Sequence, residues 1–171
     1  MKSCLYLVGM PGCGKSTLGK QFSLHSGYGF VDTDVIIIEE QKKSIEQIYA
    51  EGGEASFRLM EHALIQQFFD KENLVICTGG GLPCFHHNMA LMNQHGITVF
   101  LDVSPEELWN RVKNTDFSGR PIYQDKTPEE IQAVIRERSK ERYPFYSTAR
   151  ITLRSDRIVL EDLLEALDKL E

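Results

Sequence analysis

At 171 residues the chain has room for one domain with a full hydrophobic core. Charged residues make up 26% and hydrophobic ones 42%, as in soluble globular proteins, and no apolar run approaches the ~20 residues that a membrane-spanning helix needs. The net charge of −6 argues against a nucleic-acid binder, which usually presents a basic face, so clustered cations here belong to local sites.

The first apolar run, "CLYLV" at 4–8, leads into "GMPGCGKST" at 9–17 and then a helical pattern. Gly9, four residues, then Gly14-Lys15-Ser16 is the P-loop spacing. Glycines let successive backbone N–H groups turn toward a phosphate, and the helix N-terminus adds positive charge. Lys15 reaches the outer phosphates and the Ser16 hydroxyl suits Mg²⁺. The expected ligand is a nucleoside triphosphate. The opening "MKSCLYLVG" is too short for a signal peptide and runs straight into the loop. The cysteines Cys4, Cys13, Cys77 and Cys84 lack metal-type spacing and read as free thiols of a cytoplasmic protein.

The run "GFVD" (29–32) precedes "DTD" (32–34), whose carboxylates leave a strand at its C-terminal end, the edge where open α/β sheets bind ligands. One carboxylate there suits Mg²⁺ through water and the other suits a substrate hydroxyl. "SIEQ" at 44 reads as a capping box. From about 54 to 69 a helical stripe of Phe57, Met60, Leu64, Ile65 and Phe68 is interrupted by Glu61, with Arg58 one turn earlier. A charge inside an apolar stripe needs a partner, so Glu61 is expected to hold Arg58 toward a site rather than form a surface pair.

"LVIC" (74–77) runs into Gly79, Gly80 and Gly81, which permit close approach of backbone to a ligand. "ITVFLDV" (97–103) is followed by a capping box at "SPEE" (104–107). The polar segment "NTDFSGRPIYQDK" (114–126) has the length and composition of a lid. "TPEE" (127–130) caps a helix to about 142, on which Ile131, Val134 and Ile135 share a face that Arg138 and Arg142 continue. Arg138 suits either an anion site or snorkelling at a helix end. Arg136, Glu137, Lys140 and Glu141 point elsewhere. "RITL" (150–153) is the last apolar run. Short unbroken apolar runs alternating with helices predict parallel βαβ units and a doubly wound sheet. An ATP loop, a hydroxyl-accepting Asp, inward arginines and a lid describe a kinase for a small hydroxylated acid.

The set "GMPGCGKST", "DTD", "GEASFR" with Glu61, "TGGG", "GRP" and "RYPFY", in this order across almost the whole chain, resembles the shikimate kinase family. The resemblance implies a three-layer α/β/α P-loop kinase over 1–171, with a five-stranded parallel sheet, a substrate-binding region near 34–62 and a mobile lid near 114–126. It implies ATP- and Mg²⁺-dependent phosphorylation of the 3-hydroxyl of shikimate in the route to chorismate and aromatic amino acids. ATP and Mg²⁺ fall to Gly12, Cys13, Gly14, Lys15, Ser16, Thr17, Arg111 and the lid residue Arg120, with the metal on Ser16 and Asp32. Shikimate falls to Asp34, Arg58, Gly79, Gly80, Gly81 and Arg142, and Lys15, Asp34 and Arg120 are the catalytic residues implied. Arg157 or Arg154 borders adenine. Asp102 is a strand-exit residue and no aspartate stands on the 74–77 strand, so Asp32 takes the metal. A monomer without nucleic-acid or membrane partners is expected. The rival readings are a related kinase for gluconate or a nucleotide, and a nucleotide-binding module without an acceptor.

Overall fold

The computed structural model describes residues 4–113 and 126–170. The apolar runs form five parallel strands: β1 (Cys4–Val8), β2 (Gly29–Asp32), β3 (Leu74–Cys77), β4 (Gly96–Asp102) and β5 (Ile151–Arg154), in the order β2-β3-β1-β4-β5. Leu5 pairs with Val75 and with Ile97, so β1 lies at the centre. Every residue of β1 is buried, as an unbroken apolar run predicts for a strand covered on both faces. The edge strands β2 and β5 are only partly covered.

The helices are α1 (Lys15–Ser26), α2 (Thr33–Gln41), α3 (Ile45–Gln66), α4 (Asn88–His95), α5 (Pro105–Val112), α6 (Pro128–Tyr146) and α7 (Leu160–Asp168). Right-handed crossovers that move in opposite directions from β1 place helices on opposite faces. Accordingly α1 and α7 pack together, α4 lies on β4, and α5 packs on α6. One core of Leu, Ile, Val, Met and Phe side chains runs through the sheet, and a smaller cluster of Ile37, Ile48, Phe57 and Leu64 joins α2 to α3.

Three local expectations change. The helix expected from about 54 begins at Ile45, behind a Ser44–Gln47 capping box, and is broken at Gly53. Gly53 adopts φ 71° and ψ 175°, which only glycine reaches cheaply, so the helix bends and then runs on toward Arg58. It also ends at Gln66, short of Phe68 and Phe69. At "SPEE" only half of the box forms: the Ser104 hydroxyl accepts from the Glu107 N–H at 3.2 Å, while the Glu107 carboxylate turns to Arg111 Nε at 2.9 Å. The Thr127–Glu130 box is complete. The lid and its Arg120 lie outside the described residues, apart from Lys126 at its end.

Candidate active site

The C-terminal ends of β1, β2 and β3 converge, and each delivers a different chemical element. After β1, Gly12 and Gly14 adopt φ 85° and 104°, left-handed values that favour glycine, and α1 starts at Lys15. Lys15 is 8% exposed, and its ammonium donates to the Gly9 and Met10 carbonyls at 2.9 and 3.0 Å. Arg111 supports the loop from α5, donating to the Gly12 and Cys13 carbonyls at 3.3 and 3.1 Å. A cavity of about 710 Å³ opens beside the loop, lined by Cys13, Gly14, Thr17, Gln21, Arg111 and Ile158 among others. Its size and mostly apolar wall suit a nucleoside base and ribose. Gly12, Lys15 and Ser16 belong to the same loop but do not line this cavity. Neither candidate for the second arginine lines it: Arg154 bonds Asp102 at 2.6 Å and the Tyr143 hydroxyl at 2.8 Å, and Arg157 is exposed just before the lining residue Ile158.

After β2, Asp32 caps α2, and its Oδ2 accepts from the Ser16 hydroxyl at 2.8 Å. One carboxylate and one hydroxyl fit Mg²⁺, which takes hard oxygen donors and is usually completed by phosphates and water. Among the described residues no cluster of three His, Cys, Asp or Glu could hold a metal. Asp102, with its carboxylate on Arg154, stands apart from this pair.

After β3, each of the three glycines gives way to a different charged group. A Cβ on Gly79 would meet Asp34 Oδ1 and Glu61 Oε1, both within 2.8 Å. On Gly80 it would meet Arg142 at 3.0 Å and Pro11 at 2.8 Å, and on Gly81 it would meet the centre of the Arg58 guanidinium at 2.5 Å. The run therefore matters sterically, as a surface on which four charged side chains rest. The Gly79 N–H donates to the buried Thr33 hydroxyl at 2.9 Å, and the Gly80 carbonyl accepts from the Tyr146 hydroxyl, which anchors the run at both sides.

Arg58 is 6% exposed and Glu61 1%. Arg58 donates to Glu61 Oε2 at 2.6 Å and, through Nε and a terminal nitrogen, to Glu54 at 3.2 and 2.8 Å. Three of its five N–H groups are thus used, leaving one on each terminal nitrogen, the number a carboxylate takes in a bidentate pair. Glu54 was not singled out in the sequence, although its i, i+4 spacing to Arg58 was visible. Burial pushes the Glu61 carboxyl up to about 7, with Arg58 pulling it down and Asp34 pushing it further up. Burial alone would lower Arg58, but the charge and hydrogen bonds of Glu61 and Glu54 hold it above its usual range. Arg142 forms no ion pair among the described residues. Burial raises Cys84 to about 11, while the charges of Arg142 and Arg58 oppose the rise. Arg138, by contrast, pairs with Glu141 at 3.2 Å at the surface. It does not join the site, and Glu141 is its partner rather than a residue pointing elsewhere.

A parallel α/β sheet with a P-loop after its central strand, and Asp34, Arg58, Glu61 and Arg142 gathered on a glycine run beside it, has the architecture of a P-loop kinase acting on a small molecule. The family model described as "Shikimate kinase" matches residues 11–171. The chain is 39% identical to the shikimate kinase of Parabacteroides distasonis over 170 residues, covering 97% of this chain and 98% of that one. The crystal structure of shikimate kinase from Bacteroides thetaiotaomicron superposes with a TM-score of 0.89 at 36% identity, over 99% of this chain and 98% of that one. The shikimate kinase from Acinetobacter baumannii in complex with shikimate superposes with a TM-score of 0.86 at 29% identity, over 98% and 92% of the two chains. The chain belongs to the shikimate kinase family.

Proposed function

We propose that the protein transfers the γ-phosphoryl group of ATP to the 3-hydroxyl of shikimate, giving shikimate 3-phosphate and ADP. The observation that carries this reading is the convergence of Asp34, Arg58 and Arg142 on the Gly79–Gly81 surface, beside the P-loop. Among the described residues Arg58 keeps two N–H groups without a partner and Arg142 forms no ion pair, which suits both to a carboxylate. Asp34 orients the attacking hydroxyl and accepts its hydrogen bond. Lys15 exchanges the Gly9 and Met10 carbonyls for the transferring phosphate. Phosphoryl transfer needs little covalent help, so positioning and charge neutralisation carry the rate. Ser16 and Asp32 would hold Mg²⁺, which supplies charge neutralisation on the phosphates when bound. Arg120 is assigned to the same phosphates from the lid, and the whole chain acts as one kinase domain with its acceptor region near 34–62. Among the described residues no helix is long and apolar enough to cross a membrane, in keeping with a cytoplasmic role.

The test is a coupled assay for ADP with shikimate, with gluconate, and with no acceptor. Release that depends on shikimate is expected. Equal release with gluconate would move the assignment to another acceptor, and release that needs no acceptor would leave only a nucleotide hydrolase or binding module.

A further inference from the structure

On α3, Arg58, His62 and Gln66 follow one another at i, i+4 spacing and form a single ridge. Facing that ridge is the segment from Gly81 to Asn88. It bears on Arg58 twice: through the Gly81 backbone, which leaves no room for a Cβ, and through the Phe85 ring, whose centre lies 4.6 Å from the guanidinium carbon. The segment is an unusual piece of chain. His86 and His87 are consecutive non-glycine residues at φ 50° and 58°, a left-handed conformation that must be held by its surroundings.

What holds it is Asn88. Its side chain is fully buried and donates through Nδ2 to the Leu82 carbonyl at 2.9 Å, closing the turn on itself. Its Oδ1 lies 2.6 Å from His62 Nδ1 on α3. Gln66 Nε2 lies 2.9 Å from His62 Nε2, and the His62 and His86 rings are 5.2 Å apart. The roles in this chain of bonds are fixed. A carbonyl can only accept, so Leu82 forces the amide nitrogen of Asn88 toward itself and the amide oxygen toward His62. His62 Nδ1 must then carry the proton, and in the neutral ring Nε2 accepts from Gln66.

We propose that His62 and Asn88 are positioning residues of the acceptor pocket: their hydrogen bond latches the Gly81–Asn88 segment to α3 and so fixes the two surfaces between which the Arg58 guanidinium is aimed. Neither residue touches the acceptor; both act through Arg58. The proposal rests on the reading of Arg58 as the carboxylate-binding group, and its test separates the two.

Three variants at the half-buried His62 avoid disturbing the fully buried Asn88. His62→Leu keeps bulk and loses the bond; it should raise the KM for shikimate about tenfold while kcat and the KM for ATP stay within about twofold. His62→Asn puts an amide N–H where Nδ1–H stood and should bring the KM back to within about threefold of wild type. Combined with Arg58→Lys, His62→Leu should add less than about twofold to the KM, because the group it acts through is already gone. A KM unchanged in His62→Leu, an Asn variant no better than Leu, a parallel rise for ATP, or full additivity with Arg58→Lys would each overturn the latch. Two spectra on the free protein need no acceptor. Long-range ¹H–¹⁵N correlation should show neutral His62 protonated at Nδ1, and the Arg58 Nε–H signal should shift in His62→Leu. An Nε2–H tautomer, or an Arg58 signal that does not move, overturns the latch whatever the acceptor is. Failure of wild-type turnover with shikimate overturns the functional reading alone.

Discussion

Replacing Gly81 by alanine adds one methyl at a place where the structure makes that methyl costly in one direction only. The new carbon would stand 2.5 Å from the guanidinium carbon of Arg58. An ordinary carbon contact is about 3.5–4.0 Å, so Arg58 must withdraw by roughly 1 Å or more. It cannot do so freely. Glu61 holds one edge at 2.6 Å, Glu54 holds another at 2.8 Å, and Phe85 covers a face. Retreat breaks or lengthens at least one charge-assisted bond and carries the two remaining N–H groups away from their aim. A hydrogen bond to a charged group contributes on the order of 1.5–3 kcal/mol, so acceptor affinity should fall roughly 10- to 100-fold. Arg58 is the far end of a flexible side chain and the backbone there needs no left-handed conformation, since Gly81 has φ −85°. Melting should therefore change little. The P-loop lies on another strand, so ATP binding should stay within about twofold. The assay is titration calorimetry with shikimate and with ATP, beside a melting curve. Shikimate affinity within about twofold of wild type would refute the reasoning, as would parallel losses for both ligands.

Lys15→Ala should lower kcat by at least about 10²-fold with the fold retained, since it removes a charge from the transferring phosphate; near-normal turnover would refute the loop's role. Asp32→Asn should raise the Mg²⁺ concentration for half-maximal rate on the order of tenfold or more, read from a metal titration at saturating ATP; an unchanged requirement would remove Asp32 from the metal. For Glu61 the sign is set by burial: its folded carboxyl titrates near 7 against 4.5 for a free one, so the folded state holds the proton more tightly. Its stabilising contribution is full below about 4.5 and lost as pH rises through about 7, about 3 kcal/mol in all. Glu61→Gln cannot ionise, so its melting temperature relative to wild type should climb between about pH 5 and pH 8 while shikimate binding weakens at both; a difference independent of pH would show that Glu61 does not titrate in this range.

The parts of the site that were legible in the sequence are those where a residue contradicts its own pattern. Glu61 stands inside an apolar stripe, and burial at 1% exposure with Arg58 as partner is what that contradiction implies. The P-loop and the unbroken apolar runs were legible because local chemistry fixes both. The glycine run was read as an approach surface for a ligand, yet its neighbours are protein side chains brought from α2, α3 and α6. No local pattern could indicate those neighbours. The same holds for Arg138, whose place on the stripe matched that of Arg142; only the position of Glu141 and the distance to the β3 loop separate them. Asn88 gave no signal at all. Its meaning comes from Leu82 and His62, and the second lies 26 residues away.

The resting place of Lys15 has a consequence for how the nucleotide arrives. A free ammonium is strongly hydrated, and stripping that water normally opposes the binding of an anion. Here the ammonium is already enclosed, with the Gly9 and Met10 carbonyls standing in for water. Dehydration took place when the chain folded. Phosphate entry is then a swap of one set of oxygen ligands for another, neutral dipoles for full negative charges, with no bulk solvent to clear from the cation. The loop keeps its lysine in reserve as a dry charge, and the role proposed for it requires the same two carbonyls to let it go.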